Sequence, residues 1–426
     1  MDGAEVTQAP SMHLARSIVL RMGETGQPPE RGALHVNTGT EDVLRVLRQE
    51  YLLPMKESGR NSSFKLVQAT FGGGKTHFLH CLREVGWAEG FASSLVSVSP
   101  QECPFDDTVR VYQAVARELE LPPTELEAAP QRGFDAVLRL LVDQRVETYG
   151  EEAFRRWLQE EFRRANIESH AVRRAALLYM EGLLDRDPDQ EELMADFLLG
   201  ASVPKKELAP FRIREELESR TAFRFLRSLV QTLRALEVPG VLLLFDEMDR
   251  VMSLTVKRRK SIGDNLRQMI DHCGQALLPC LLWVYAVPPE FMTTVVPEYP
   301  ALEQRLRGAA ILSDTSVLAP LIDLERLALT ESELFEGIGM RLCDLMGPGE
   351  FGQLNRELQQ ENVRLLARHM AETTLESGAR RTFVKRAVQM LRNQIQDERA
   401  LTRDDVEQLD LASGGSPFLD GEEDIF

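Results

Sequence analysis

The chain has 426 residues, 43% of them hydrophobic and 27% charged, with a formal net charge of −17. That is enough for two or three compact units with a sizeable core, and it excludes a protein that grips nucleic acid with its whole surface, because an acidic body repels phosphate. The five cysteines (Cys81, Cys103, Cys273, Cys280, Cys343) form no CxxC pair, which excludes a zinc ribbon or a disulfide framework and fits a reducing cytoplasm. The N-terminal stretch has no apolar signal segment, and no run is long enough to span a bilayer.

In chain order, Leu14 to Met22 reads as a short helix stopped by Gly23. Thr38 and Glu41 have capping-box spacing before a helix running to about Leu53. Phe64 to Ala69 is a strand, followed by a glycine-rich loop and a helix from His77 to Val85. Phe91 to Val98 is a second strand, and Val109 to Leu119 a helix. Residues 125–215 are rich in Arg and Glu with helical spacing and read as an all-helical insertion. Phe223, Leu226, Leu229, Leu233 and Leu236 line one helix face. Val241 to Phe245 and Cys280 to Ala286 are apolar throughout, as in parallel strands buried on both faces. Ile311-Leu312 is expected to be a last short strand. The pattern is helical from Pro320 to Leu411, then a flexible linker and an acidic tail end the chain. Alternating strands and helices predict an α/β P-loop NTPase fold with a parallel sheet, a helical insertion and a C-terminal helical lid. The expected divisions are an arm over 1–60, a core over 61–320, a lid over 321–412 and a tail over 413–426.

The segment Ala69-Thr-Phe-Gly-Gly-Gly-Lys-Thr76 follows the P-loop pattern GxxxxGK[ST], with Ala69 at the first glycine position. Gly72, Gly73 and Gly74 would let main-chain amides point at a β-phosphate, and the following helix adds its positive end. Lys75 would neutralise β/γ charge, and Thr76 would give Mg²⁺ a hydroxyl. The bland alternative is a glycine-rich turn. His77 lacks metal-spaced partners and lies near the expected phosphate; His80 reads as structural.

Val241-Leu-Leu-Leu-Phe-Asp246-Glu247 has the Walker B pattern: Asp246 would hold the Mg²⁺ shell and Glu247 would polarise the attacking water. The strand ending at Ala286-Val287 is expected between the two motifs but lacks a polar sensor; Tyr285 is a candidate substitute, with a core tyrosine as the alternative. Arg305 or Arg307 either acts in trans on a neighbour's γ-phosphate, which requires a homo-oligomer, or belongs to a solvated helix face. Arg380 and Arg381, near a helix start, are either lid arginines that sense nucleotide or a solvated helix face. Lys257-Arg-Arg-Lys260 is a local basic patch, either for DNA phosphate or a partner's acidic surface, or else a solvated helix end. The tail from Leu419 to Phe426 is either a docking peptide or a disordered end.

Leu20-Arg-Met-Gly, Val36-Asn-Thr-Gly-Thr-Glu41, Phe71-Gly-Gly-Gly-Lys-Thr-His-Phe-Leu79 and Phe245-Asp-Glu-Met-Asp249 together resemble the bacterial ATP-binding proteins of BREX-type phage-defence systems. Ala286-Val-Pro-Pro-Glu-Phe291 and Tyr299-Pro-Ala-Leu-Glu-Gln-Arg305 are similar to the same family, and the likeness covers roughly residues 14–395. It implies an AAA+/STAND, origin-recognition-like core, ATP and Mg²⁺ as cofactors, and work with other defence-system proteins. Ala69 and Ala286-Val287 depart from the family pattern, and too few residues follow Ile395 for a winged helix. The expected function is a nucleotide-driven assembly ATPase. The alternatives are a nucleotide-gated scaffold and a DNA-loading ATPase.

Overall fold

The computed structural model describes residues 9–59, 61–99, 103–248, 255–275, 277–306, 310–346, 354–373 and 378–413. Arg307, Asp249 and the tail beyond 413 lie outside these residues.

Helix α1 (Met12–Thr25) starts on Ser11, whose hydroxyl accepts from the Leu14 N–H at 3.1 Å, and ends on a left-handed Gly26. Gly23 does not stop it. Gly23 lies inside the helix, where a methyl group would fall 2.6 Å from Val388 Cγ1, so the glycine serves close packing. Helix α2 (Glu41–Leu47) passes through a π-turn into α3 (Leu53–Ser58). The Thr38–Glu41 capping box does not form: Thr40 precedes the helix and bonds Asn37 Oδ1 (2.6 Å), while Thr38 Oγ1 has no partner among the described residues.

Strand β1 (Ser63–Gln68) leads through the glycine loop into α4 (Lys75–Ala88). Strand β2 (Ala92–Ser97), α5 (Thr108–Arg117) and the two-residue β3 (Leu119–Glu120) follow. The expected insertion is helical: α6 (Phe134–Tyr149), α7 (Glu151–Glu160), α8 (His170–Asp185), α9 (Pro188–Leu198) and α10 (Lys205–Leu208). Then come α11 (Ala222–Ala235), β4 (Val241–Asp246), α12 (Val256–Gly274), β5 (Leu281–Val287) and α13 (Pro300–Leu306). The last strand is β6 (Leu321–Asp323), inside the stretch expected to be helical; Ile311 makes only a single bridge to Leu321. Helices α14 (Glu331–Met346), α15 (Arg356–Thr373), α16 (Ala379–Gln396) and α17 (Arg403–Ser413) complete the described chain.

Among the described residues six strands form one sheet in the order β3-β2-β4-β5-β1-β6. β3 pairs antiparallel to β2, and the other pairings are parallel. The fold is therefore mixed α/β with a mostly parallel sheet. Every residue of β4 and β5 is buried, which explains the apolar runs Val241–Phe245 and Leu281–Val287 within them. On one face Phe245 stacks on Trp283 (4.9 Å) and Tyr285 (5.2 Å), and Phe105 meets Tyr285 edge-on (5.2 Å). Tyr285 is thus a core residue rather than a sensor, fully buried in an aromatic stack. Each such buried side chain stabilises the fold by ~1.5–3 kcal/mol. On the other face α4 comes so close that a methyl at Gly86 would lie 2.3 Å from Leu242 Cδ1.

The chain divides into two units. The first holds Glu41–Thr70 and Phe78–Glu325, with the sheet and the insertion. The second holds residues 9–40, Phe71–His77 and 326–413, in which α1, α14, α15 and α16 pack around a stacked Phe335–Phe383 pair (4.6 Å, 5°).

Candidate nucleotide site

β1 and β4 both run parallel to β5, one on each side of it. Gln68 is level with Val287 and Phe245 with Tyr285, so the two strands end together at one edge of the sheet. Ala69-Thr70 and Asp246-Glu247 leave that edge two strand spacings apart, roughly 10 Å. Crevices at the carboxyl ends of parallel strands are where open α/β sheets bind ligands.

Ala69 is buried, and its N–H donates to Val287 O (3.3 Å). It is not among the residues with positive φ, so an alanine fits where the motif has glycine. Thr70 is held by Glu325, whose Oε1 accepts from the Thr70 N–H (2.8 Å) and hydroxyl (2.7 Å). No sequence pattern pointed to Glu325. It follows β6, and that strand is too short to show a period.

Within the second unit, the loop turns at Gly72 (φ 77°) and Gly74 (φ 92°), a region that L side chains rarely adopt. A methyl at Gly72 would lie 2.7 Å from Gly378 Cα, so the loop meets the start of α16 backbone to backbone. The Arg380 guanidinium donates to Gly73 O. Arg381 lies over the Phe71 ring (5.5 Å), and Phe71 is 62% exposed. Of the two candidate lid arginines, then, Arg380 touches the loop backbone and Arg381 its exposed aromatic residue. Doublet spacing alone does not separate their roles.

Lys75 opens α4 and is only 7% exposed; Thr76 and His77 follow in the first turn, which carries no acidic residue to oppose the positive helix end. Burial, then the Arg380 charge, lowers the His77 pKa to about 4, so its ring is neutral near pH 7. Asp246 is buried at the end of β4, and its Oδ1 accepts from the Glu247 N–H (2.8 Å). Glu247 takes φ 59°, a left-handed backbone that costs a non-glycine residue roughly 1–2 kcal/mol. Strain of this kind gathers at functional sites.

Residues 13–409 match the model of a family described as BREX system ATP-binding protein BrxC/D. The chain belongs to that family. The family assignment brings with it ATP binding and a place in BREX phage defence. No curated protein and no solved structure matches the chain.

The remaining candidates of this BREX-family chain are spread more widely. Arg305 lies in α13. In the Lys257–Lys260 run, at the start of α12, two of the four charges are already engaged. Arg258 forks onto Asp106 (2.8 and 2.9 Å), and Arg259 pairs with Glu298 at 3.7 Å. His80 is buried beside Arg83 (3.0 Å), as a structural residue would be. Among the described residues no helix is long and apolar enough to cross a membrane, and no cluster of three or more His, Cys, Asp or Glu forms a metal cage.

Proposed function

We propose that this BREX-family protein is an AAA+/STAND-type ATPase whose nucleotide state drives assembly or remodelling in the defence system. The observation that carries the reading is the strand order. It interposes β5 between the strand feeding the glycine loop and the strand ending in Asp246-Glu247, and it ends both at one sheet edge.

The residues fit ATP and Mg²⁺. The glycine loop can turn its amides outward because Gly72 and Gly74 take positive φ. Mg²⁺ prefers one or two protein oxygens completed by phosphate and water, so the lack of a preformed cage among the described residues is compatible with Thr76 and Asp246 as its protein ligands. When bound, the ion neutralises charge on the phosphates. Lys75 adds a fixed positive charge, neutral His77 adds none, and Glu247 is the carboxylate that orients and polarises water. Arg381 is a candidate lid contact. Arg305 is the candidate for a contact in trans, which calls for a homo-oligomer.

Lys75→Ala is expected to weaken binding of a labelled ATP analogue about 10- to 100-fold, the worth of one charge-assisted hydrogen bond. Unchanged affinity refutes the assignment. Glu247→Gln should keep binding but slow phosphate release by at least roughly a hundredfold.

A second reading, a nucleotide-gated scaffold with little hydrolysis, draws on β5. That strand ends in buried Ala286-Val287, which offer no polar group. Equal, near-zero turnover of the parent and Glu247→Gln, with ATP still bound, selects this reading.

A further inference from the structure

Six arginines (Arg163, Arg173, Arg174, Arg212, Arg214 and Arg224) line a cavity of about 430 Å³ in the helical insertion, a concentration of positive charge in a chain of net charge −17. The two carboxylates at its wall are already engaged. Glu168 takes Arg227 (2.6 and 2.7 Å), and Glu215 takes Arg224 (2.5 Å). Among the described residues, none of the other five arginines has a carboxylate within ion-pair distance. Arg173 donates to Ala165 O (3.0 Å) and reaches His170 Nδ1 (2.7 Å). Arg174 donates to Phe211 O, and Arg163 makes a long contact to Gln159 (3.4 Å). Arg212 and Arg214 are exposed, with no side-chain partner among the described residues. Glu181 adds a more distant negative charge facing Arg163 and Arg174, yet positive charge remains in excess; like charges in excess repel one another, and an incoming anion relieves that repulsion.

The cavity does not end there. Glu168 and Arg224 also line a second cavity of about 730 Å³, which adds Arg220 and Arg227 together with Asp106, Asp107 and Phe223. The second cavity balances its arginines with Asp106, Asp107 and Glu168, so the excess of positive charge lies in the first, where six arginines face Glu168 and Glu215. Guanidinium forks match phosphate oxygens, as the residue type demands. The first cavity offers only Ala171 and Leu177 as apolar wall, and apart from the His170 ring, which Arg173 engages, no Phe, Tyr or Trp lines it as a platform for an unpaired base. The exposed arginines are within reach of a polymer.

We propose that this six-arginine cavity, rather than the Lys257–Lys260 run, binds the phosphodiester backbone of a nucleic-acid duplex without reading its sequence. It is independent of the nucleotide site.

The test is fluorescence anisotropy with the whole chain and a labelled DNA duplex of about 20 base pairs, over a salt series, with the matching RNA duplex, the single strand and inorganic pyrophosphate as further probes. Arg212→Glu/Arg214→Glu should bind the DNA or RNA duplex at least about tenfold more weakly and lower the salt slope by about two. Its thermal unfolding and its affinity for labelled ATP should match the parent, because neither side chain supports the fold. Four outcomes overturn the proposal: no duplex binding by the parent; full binding by the arginine variant; loss only in Lys257→Glu/Lys260→Glu; or a single strand or pyrophosphate that binds more tightly than the duplex.

Discussion

Lys65 is 1% exposed on β1, and its ammonium donates to the Tyr51 hydroxyl (2.7 Å) and Ala319 O (2.9 Å) while lying 4.0 Å from the Tyr51 ring centre. Burial pulls its pKa down to about 7. Above that pH the unfolded chain holds a proton that the folded chain does not, so this residue's contribution to stability rises from pH 7 towards 10 and is lost as pH falls through 7. Lys65→Met should remove that slope. Chemical denaturation at pH 7 and pH 9 should show the parent gaining on the order of 2 kcal/mol relative to the variant, and parallel curves would refute the reading. At the glycine loop, Gly72→Ala meets Gly378 Cα at 2.7 Å, whereas a methyl at Gly378 meets nothing within 4 Å. Both positions strain the backbone, but only the first also clashes, so Gly72→Ala should cost more stability and more ATP affinity than Gly378→Ala. Equal losses would mean that backbone strain alone matters. That Lys75 and Thr76 open a helix behind a glycine turn, and that Asp246 ends a buried strand, was legible in the sequence because these placements are local. Arg380 on Gly73 O and Glu325 on Thr70 were not, because long-range packing sets those contacts.

At the scale of elements, β4 and β5 were legible because burial on both faces makes them apolar up to the terminal Asp246 of β4. β6 was not: three residues cannot display a period, and its role comes from lying beside β1. The capping box was misplaced because Thr38 and Thr40 offer the same hydroxyl two residues apart, and only the folded chain decides between them. Gly23 looked like a helix stop, yet it lets α1 approach α16. Gly23→Ala should therefore destabilise by ~1–3 kcal/mol through overpacking. Val388→Ala should recover part of that loss in the double variant. Additive losses in thermal unfolding would show that the two positions do not touch.

Over the whole molecule, the acidic balance excluded a uniformly basic surface but said nothing of where the arginines gather. Charge totals are blind to clustering, and the insertion's arginines come from segments far apart in sequence. The division into two units was also hidden, because it does not follow the order of the chain. The second unit takes residues 9–40, 71–77 and 326–413, with α1 packed on α14 and α16. A fragment spanning 326–413 leaves out Ile18 and Val19, both buried in the intact chain. It should lack a cooperative thermal transition by circular dichroism; a sharp melt at the parent temperature would refute this. The same interleaving limits how such proteins can be recombined. A chimera that joins the tail half of one homologue to the front half of another by a single crossover splits α1 from its partners, so working hybrids have to exchange all three stretches as one set.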